Sequence, residues 1–299
     1  MLAQGPIMLS IDILVNALVT GILLGSVYAA LALGLAITFG ILHIPNIAHP
    51  TLVIAGAFFV YTLAQWGVDP ILAALVGLVP FYLLGVALYL FYSRLFERRG
   101  GANVLQSLTL FFGLSLVIEI LLALSFGSEL KSVNVFYIGS SLRLGILTIP
   151  YRLLIPALLA PVMIGAVWLY LSRTNTGTAI RAVAHEERAL SIAGLNPASI
   201  KRHAFGIATA TAVVAGAALI MVGPIEPFSG RFQIGRVFAI VVLAGMGSIP
   251  GSLVIAIVIG ISEALVSSYL NPSWSPGVAF AILLLGLALR PQGLFGAAR

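Results

Sequence analysis

The chain of 299 residues contains no cysteine and very few charged residues. Without cysteine, disulfide bonds, thiolate chemistry and cysteine-ligated metal sites are excluded. Only 8% of the residues are Asp, Glu, Lys or Arg, whereas 61% are hydrophobic, and the mean hydropathy is +1.14. A water-soluble domain of this length does not have such a composition. The net charge of +6 comes mainly from arginines between the apolar stretches, which indicates membrane topology and not nucleic-acid binding.

The sequence also lacks the motifs of hydrolytic and nucleotide-binding sites. It contains no Gly-x-Ser-x-Gly, no His-Glu-x-x-His and no glycine-rich loop leading into Lys-Ser or Lys-Thr. His185-Glu186-Glu187 lacks the second histidine of a zinc-protease motif, and no nucleophile–base pair of an intramembrane enzyme is evident. We therefore expect that the chain is not an enzyme and does not itself hydrolyse ATP.

Apolar runs of about 20 residues are long enough for a helix to cross the hydrocarbon layer of a bilayer. They predict an all-α, polytopic transmembrane bundle of about eight spans that forms one domain over residues 1–299. The alternating strands of an outer-membrane barrel are absent, and the first ten residues lack the basic start of a cleaved signal. The predicted segments are 11–44, 52–65, 71–92, 104–126, 153–171, 204–222, 237–269 and 278–289. Two of these, 11–44 and 237–269, are too long for one untilted span, so we expect a bend or a division into shorter helices.

Basic residues predict which loops face the cytoplasm. They concentrate in residues 94–99, 173–202 and 290–299. Two spans separate the first pair of loops, which is consistent with a shared side. The side of the N-terminus depends on how segment 11–44 is divided, and the sequence leaves it open.

A polar segment, residues 173–203, interrupts the apolar sequence and contains local signals of helical structure. Residues 174–176 can cap a helix that starts at Ala179, Gly194 can end it, and Asn196-Pro197 is typical of a new helix start. Ile180, Val183, Ala184 and Leu190 fall at helical spacing on one side, and Arg181, His185 and Arg188 on another. The segment is either a solvated loop with helical turns or a docking surface for another protein, and two capped helices favour docking.

The densest polar cluster inside the apolar part is residues 40–50. Irregular backbone at membrane depth persists only where it packs in protein or lines a wet cavity. Asn46 and His49 are therefore either hydrogen-bonding groups on a translocation path or helix caps in a surface turn. A metal site from His43 and His49 is a weaker alternative, because Pro45 breaks the helical register and zinc requires three or four ligands.

Two acids, Glu119 and Glu263, lie within apolar segments. A carboxylate in the membrane is costly and is usually paired, protonated or turned to the protein interior. A proton or solute relay is one interpretation. An interhelical hydrogen bond or ion pair is the other, and the lack of a second acid at helical spacing favours it. Glu226, Arg231 and Arg236 surround two prolines and are predicted to lie in a loop on the outer side.

A second break is predicted at residues 244–252, where small residues and a proline end one helix and begin another. Gly245, Gly247 and Ser248 would then expose backbone groups that in transporters can coordinate polar solutes. Tight packing of a re-entrant element is the alternative, and both can hold together.

Four stretches of the chain, in order and spread over nearly its whole length, resemble the branched-chain amino acid ABC transporter permeases of the Liv type. They are residues 28–49, 180–196, 244–251 and 289–296, including Pro-Asn-Ile-Ala-His at 45–49 and Ala-Gly-Met-Gly-Ser-Ile-Pro-Gly at 244–251. Pro50 and Thr51 stand where the family usually has glycine and an acid. Arg188-Ala189-Leu190 stands where other permease loops have Glu-Ala-Ala.

The resemblance implies one of two permease subunits in a bacterial inner membrane, paired with a similar second permease. It further implies a periplasmic solute-binding protein and two cytoplasmic ATPase subunits, which would bind ATP and magnesium, while this chain would bind no cofactor. Residues 184–194 would be the coupling helix that enters a groove of an ATPase. The residues expected to couple are Arg181, His185, Glu186, Glu187, Arg188 and Gly194.

The expected mechanism is alternating access around a site between the two permeases, driven by the ATPases. The expected solute is a branched-chain amino acid, with urea or a short amide as the alternative because related permeases are similar in sequence. A stand-alone ion-coupled carrier that uses Glu119 or Glu263 is a rival function. It would need no docking segment, so residues 173–203 favour the importer.

Overall fold

Long apolar stretches fold as helices because backbone N–H and C=O groups must find partners within the chain where no water is available. The computed structural model describes residues 11–97, 103–144, 147–245, 247–290 and 292–295. The first part of the chain contains helices α1 (Ile11–Leu35), α2 (His49–Gln65), α3 (Pro70–Leu95), α4 (Val104–Phe126) and α5 (Tyr151–Arg173). The second part contains α6 (Asn175–His185), α7 (Glu187–Ile192), α8 (Pro197–Val222), α9 (Ser229–Ala244), α10 (Ile249–Tyr269) and α11 (Ser275–Leu289).

Among the described residues, seven helical segments are long and apolar enough to cross a membrane. Helices α2 and α9 have 17 and 16 residues, fewer than those seven, and both pack among them. The predicted all-α transmembrane bundle is confirmed, and the predicted number of about eight spans is close. One departure from an all-α chain is a hairpin of strands β1 (Ser141–Leu144) and β2 (Leu147–Pro150), which pair antiparallel with Ser141 opposite Pro150.

The first predicted segment does not divide into two helices. Helix α1 continues without interruption as a π-helix over Ala36–Ile41, and together they span 31 residues. The chain then turns at His43, whose φ of 58° is in the left-handed region that few side chains adopt. The expected break at 244–252 is confirmed, since α9 ends at Ala244 and α10 begins at Ile249, although Met246 lies outside the described residues.

Helices α1 and α8 form the centre of the bundle. Their most apolar stretches are 72% and 78% buried, whereas those of α3, α4 and α5 are only 28%, 22% and 28% buried. Glycines allow α10 to approach the central α1 closely, as the small-xxx-small pattern of Gly21 and Gly25 predicts. A Cβ atom on Gly25 would lie 2.5 Å from the Cα atom of Ile257.

Contacts at the two ends of the bundle establish which loops share a side. Lys201, at the start of α8, pairs with Glu97 just after α3, so the polar segment and the end of α3 lie together on the arginine-rich, cytoplasmic side. Leu294 N donates to Leu243 O, which joins the α9–α10 break to the end of the chain, and the basic Arg290 assigns that end to the cytoplasmic side. Arg98, Arg99 and residues 296–299 of the predicted basic groups lie outside the described residues.

The opposite, outer end contains the loop after α4 and the hairpin. Tyr137 donates to Asp69 Oδ2 at 2.7 Å, and Asp69 caps α3 by accepting from Ile71 N. Burial, and then the bond to this carboxylate, raise the pKa of the Tyr137 phenol. Asn16 accepts from Thr148 N of the hairpin, so α1 begins on the outer side. This contact answers the question of sidedness that the sequence leaves open.

Candidate functional site

Three polar side chains lie fully buried where the chain re-enters the bundle after α1. Asn46, His49 and Thr51 are each 0% exposed. Apart from an interaction of the His49 ring with the backbone of Leu31, their side-chain nitrogen and oxygen atoms have no hydrogen-bond partner among the described residues. Buried polar groups without partners are rare in native proteins and mark places where water or a ligand binds, or where a second conformation supplies the bond. Such groups could hydrogen-bond a polar solute.

The surroundings of this cluster exclude the alternative of a surface turn. Helix α2 begins at His49, but no side chain caps its start, so Asn46 does not act as a helix cap here. The His49 ring packs directly against Gly34 of α1, where any Cβ atom would overlap it. His43 is exposed, and the described residues contain no group of three or more His, Asp or Glu suited to a metal.

The α9–α10 break is at a different depth. Gly245 and Gly247 have φ of 85° and 89°, which suit glycine. Gly247 packs beside Gly40 O at the end of the first helix, about 9 Å along that helix from Gly34. Since the His49 ring packs against Gly34, the structure separates Gly247 from His49.

Other parts of the chain already use the backbone groups at this break. Leu294 N and Phe295 N donate to the last carbonyls of α9, at 2.7 Å and 3.2 Å. Ser248 caps α10 by accepting from Gly251 N at 3.1 Å. These bonds favour the packing interpretation of the break over a solute site.

Both membrane acids are paired with arginines of α9. Glu119 Oε2 accepts from Arg231 Nε at 2.6 Å. Glu263 accepts from Arg236 Nε at 2.9 Å and Nη2 at 3.0 Å, and Tyr28 Oη donates to it at 2.9 Å. The ion-pair interpretation of Glu119 and Glu263 therefore agrees with the structure.

The prediction of an outer loop for Arg231 and Arg236 was wrong, since both residues lie in helix α9. The prolines at 224 and 227 do mark a turn, but helix begins at Ser229 immediately after it. The two arginines matter to the bundle because each compensates a carboxylate that would otherwise be buried alone.

An outer cavity of about 500 Å³ lies between α1, α10 and α11, with the Arg236–Glu263 pair on its wall. The guanidinium group of Arg236 also stacks 4.3 Å from the ring centre of Tyr28. The remaining polar lining residues are Asp12, Asn16, Thr20, Ser267, Ser268 and Ser275.

The polar segment is folded, with the predicted caps and with different helix bounds. Thr174 Oγ1 accepts from Gly177 N, so α6 begins at Asn175, four residues before the predicted Ala179. Asn196 Oδ1 accepts from Ala198 N at 3.0 Å, and Pro197 is the first residue of α8. Gly194 has φ of 78°, as expected for a helix stop.

The expected single coupling helix over 184–194 was wrong. Glu186 has extended backbone (φ −155°, ψ 99°), which ends α6 and lets α7 start in a new direction. The predicted apolar side is confirmed, because Ile180, Val183 and Leu190 are buried. The short α7 leaves Ile192 88% exposed. Arg181 and Glu186 are exposed, and the side chains of His185 and Arg188 lie outside the described part of the molecule.

A network that sequence reasoning missed connects α7 to the membrane helices. Lys201 contacts Glu187 of α7 and lies 3.1 Å from Glu97, to which Tyr89 of α3 donates at 2.6 Å. Two residues further along α8, the His203 ring bonds to the hydroxyls of Tyr82 and Tyr170 at 2.6 Å and 2.8 Å. Three helices, α3, α5 and α8, are thereby linked beneath α7.

Comparisons with known proteins agree with this architecture. The family model "Branched-chain amino acid transport system / permease component" matches residues 17–287. The chain is 31% identical to the high-affinity branched-chain amino acid transport system permease protein BraD of Pseudomonas aeruginosa, over 93% of this chain and 94% of BraD. It is 29% identical to the corresponding LivH protein of Escherichia coli, over 92% and 93%.

One solved structure has the same fold. A chain of PsaBC from Streptococcus pneumoniae in complex with Fab aligns with a TM-score of 0.50 at 15% identity, over 94% of this chain and 92% of that one. At this level of identity the likeness concerns the fold alone.

Proposed function

The chain belongs to the family of branched-chain amino acid transport permease components, and from this premise we propose that it lines the translocation path of an ATP-driven amino acid importer. It is a multi-pass permease subunit of the inner membrane. In the proposed assembly it pairs with a second, similar permease. Solute arrives from a periplasmic binding protein, and two cytoplasmic ATPase subunits, which bind ATP and magnesium, supply the energy. This chain itself hydrolyses no ATP.

The main support for this proposal is the structure of the cytoplasmic polar segment, residues 173–203. Helix α7 exposes an apolar tip at Ile192 and is joined to the bundle by the contact of Glu187 with Lys201. An exposed apolar side chain at the end of an anchored helix suits insertion into a groove of a partner protein. A stand-alone carrier has no use for such a segment.

Coupling would proceed through rigid contacts. When the ATPases close, α7 would move, and Lys201 would pass that movement to α3 through Glu97 and to α8 directly. His203 would carry it to α5 through Tyr170. The membrane helices would then rock around the path, which opens to one side at a time.

The proposed path passes the buried cluster of Asn46, His49 and Thr51. Buried polar groups without partners cost free energy, and binding of water or solute would supply the missing hydrogen bonds. An aliphatic amino acid is the proposed solute, because the similar proteins BraD and LivH are branched-chain amino acid permeases.

Gentle detergent purification of the chain from its native membrane, followed by mass spectrometry of the bound proteins, tests this assembly. We expect a second permease and ATPase subunits. Ile192→Asp should release the ATPases and keep the second permease. Phe136→Asp is the matched control, since Phe136 is 93% exposed on the outer side. Recovery of the chain alone, with solute transport in liposomes that needs no ATP, would refute the importer.

A further inference from the structure

Arg231 is a charged side chain that is half exposed at membrane depth. Its side chain is 52% exposed, while its partner Glu119 is 1% exposed. Glu119 lies one-third of the way along α4 from the outer end, about 10 Å below Phe126. Gly230, the neighbour of Arg231, packs against Thr51, from which α2 rises about 21 Å to Gln65. The pair is therefore well inside the bilayer.

The exposed part of Arg231 does not face lipid. An arginine in hydrocarbon costs several kcal/mol, and such residues face a water-filled cavity or a protein partner. Neutralising Glu119 uses one nitrogen only, Nε. The two terminal nitrogens have no hydrogen-bond partner within the described ranges, and neither has Glu119 Oε1. The pair thus keeps unused donors on the half-exposed Arg231, and one unused acceptor buried behind them on Glu119.

The orientation of the guanidinium group is well defined. Besides the bond to Glu119, its carbon lies 5.0 Å from the ring centre of Phe228, a cation–π contact. A planar guanidinium group with two free nitrogens matches the two oxygens of a carboxylate. Phe232, the next residue, is 75% exposed and offers apolar surface beside the charge.

We propose that Arg231 binds the carboxylate group of the transported solute on the water-filled side of the subunit. This inference rests on the proposed importer function and deepens it. A cation there selects a solute with an anionic group and an aliphatic body, such as an amino acid, over urea or a neutral amide, which lack the anion. The binding protein would select first, and Arg231 would select again within the membrane.

The absence of cysteine makes a sharp test possible, because a thiol introduced into this chain is its only thiol. Two variants of this chain would be purified in complex with its partner subunits. Phe232→Cys keeps the ion pair between Arg231 and Glu119. The double variant Arg231→Cys with Glu119→Gln removes the arginine and leaves no unpaired carboxylate. Val79→Cys is the control, since it is 66% exposed on a helix face that also presents Leu72, Leu75 and Leu83. The wild-type complex shows whether the thiol reagents react with cysteines of the partner subunits.

Each complex would be treated in proteoliposomes with a membrane-impermeant cationic or anionic thiosulfonate reagent. We expect both reagents to label position 232 and neither to label position 79. Uptake of leucine by the double variant should fall by about tenfold to a hundredfold, the range expected for a charged hydrogen bond. Labelling with the cationic reagent should restore part of this uptake, and labelling with the anionic reagent should restore none. Added leucine should slow the labelling reaction.

Lack of labelling at positions 231 and 232 would overturn the proposal, because the surface would then face lipid or another subunit. Equal effects of the two reagents on uptake would also overturn it, because charge would not matter. A wild-type complex that takes up no amino acid would instead contradict the importer function. The labelling does not depend on uptake, so the two failures can be told apart.

Discussion

The ammonium group of Lys201 lies 3.1 Å from Oε1 of Glu97, although the two residues are 104 positions apart in the chain. Lys201 is in the first turns of α8, and Glu97 follows the end of α3. Lys201 also contacts Glu187 of α7, so one side chain connects the proposed docking helix with two membrane helices. Both carboxylates are acceptors for a single cation, and its loss would release three elements at once.

Lys201→Met should uncouple the transporter. Glu97 and Glu187 would then repel each other without their shared cation. Stability should fall by about 1–3 kcal/mol, less than for a fully buried pair, because Glu187 is half exposed. We expect solute-stimulated ATP hydrolysis to drop at least about tenfold while basal hydrolysis persists, since the ATPases themselves are unchanged. Lys201→Arg keeps the charge and should retain most of the coupling. Equal loss in both variants would show that the cation is not what matters.

Gly194→Val should abolish solute-stimulated ATP hydrolysis and leave the membrane fold intact. No atom of the described residues would crowd a side chain there, so the effect comes from the backbone, whose φ of 78° costs a β-branched residue about 1–2 kcal/mol or more. Asparagine tolerates this conformation, which makes Gly194→Asn the matched control. Stimulation by solute would be measured in the purified complex; normal coupling in the valine variant would exclude a rigid link at this position.

Gly25→Ala should weaken the contact between α1 and α10. The new methyl group would lie 2.5 Å from the Ile257 Cα atom, so the helices must separate, at a cost of about 1–3 kcal/mol. A methyl group added by Gly165→Ala on α5 would meet no atom of the described residues within 4 Å, and this variant should be neutral or slightly stabilising. Thermal unfolding in detergent checks both, and a melting temperature unchanged by Gly25→Ala would contradict the observed packing.

Asn46→Leu separates a structural role of Asn46 from a functional one. Its amide has no partner in the described part of the chain, so an apolar residue of similar size should leave the melting temperature unchanged or higher. If the amide serves the path, ATP-driven uptake should nevertheless fall by about tenfold or more. A large loss of stability would instead mean that Asn46 makes structural bonds, and full uptake would remove it from the path.

Arg236→Met should destabilise the bundle by about 3–5 kcal/mol, because Glu263 would be left buried and unpaired. Adding Glu263→Met removes the stranded carboxylate and should recover much of that loss. The double variant should also take up solute, since the pair is proposed to be structural. A double variant that is stable but takes up no solute would show that the Arg236–Glu263 pair has a functional role.

Features determined by neighbouring residues were predictable from the sequence. The caps at Thr174 and Asn196, the stop at Gly194 and the break after Ala244 each depend on a few adjacent residues, and the structure contains all of them. Helical periodicity likewise identified Ile180 and Val183 as buried.

Partnerships across the fold could not be predicted in the same way. Glu119 and Arg231 are 112 positions apart, and nothing in either local pattern indicates the other. The same holds for His203 with Tyr82 and Tyr170. Glycine packing at Gly34 explains where His49 lies, but only the fold shows that these two residues meet.

ATP dependence of uptake tests the central claim most directly. The complex that co-purifies with this chain would be reconstituted in liposomes, with ATP on the side of α7 and labelled leucine plus the binding protein on the other. An importer should accumulate leucine only with hydrolysable ATP, and a protonophore should not change the rate. Uptake that proceeds without ATP and collapses when the proton gradient is discharged would contradict the importer and favour an ion-coupled carrier.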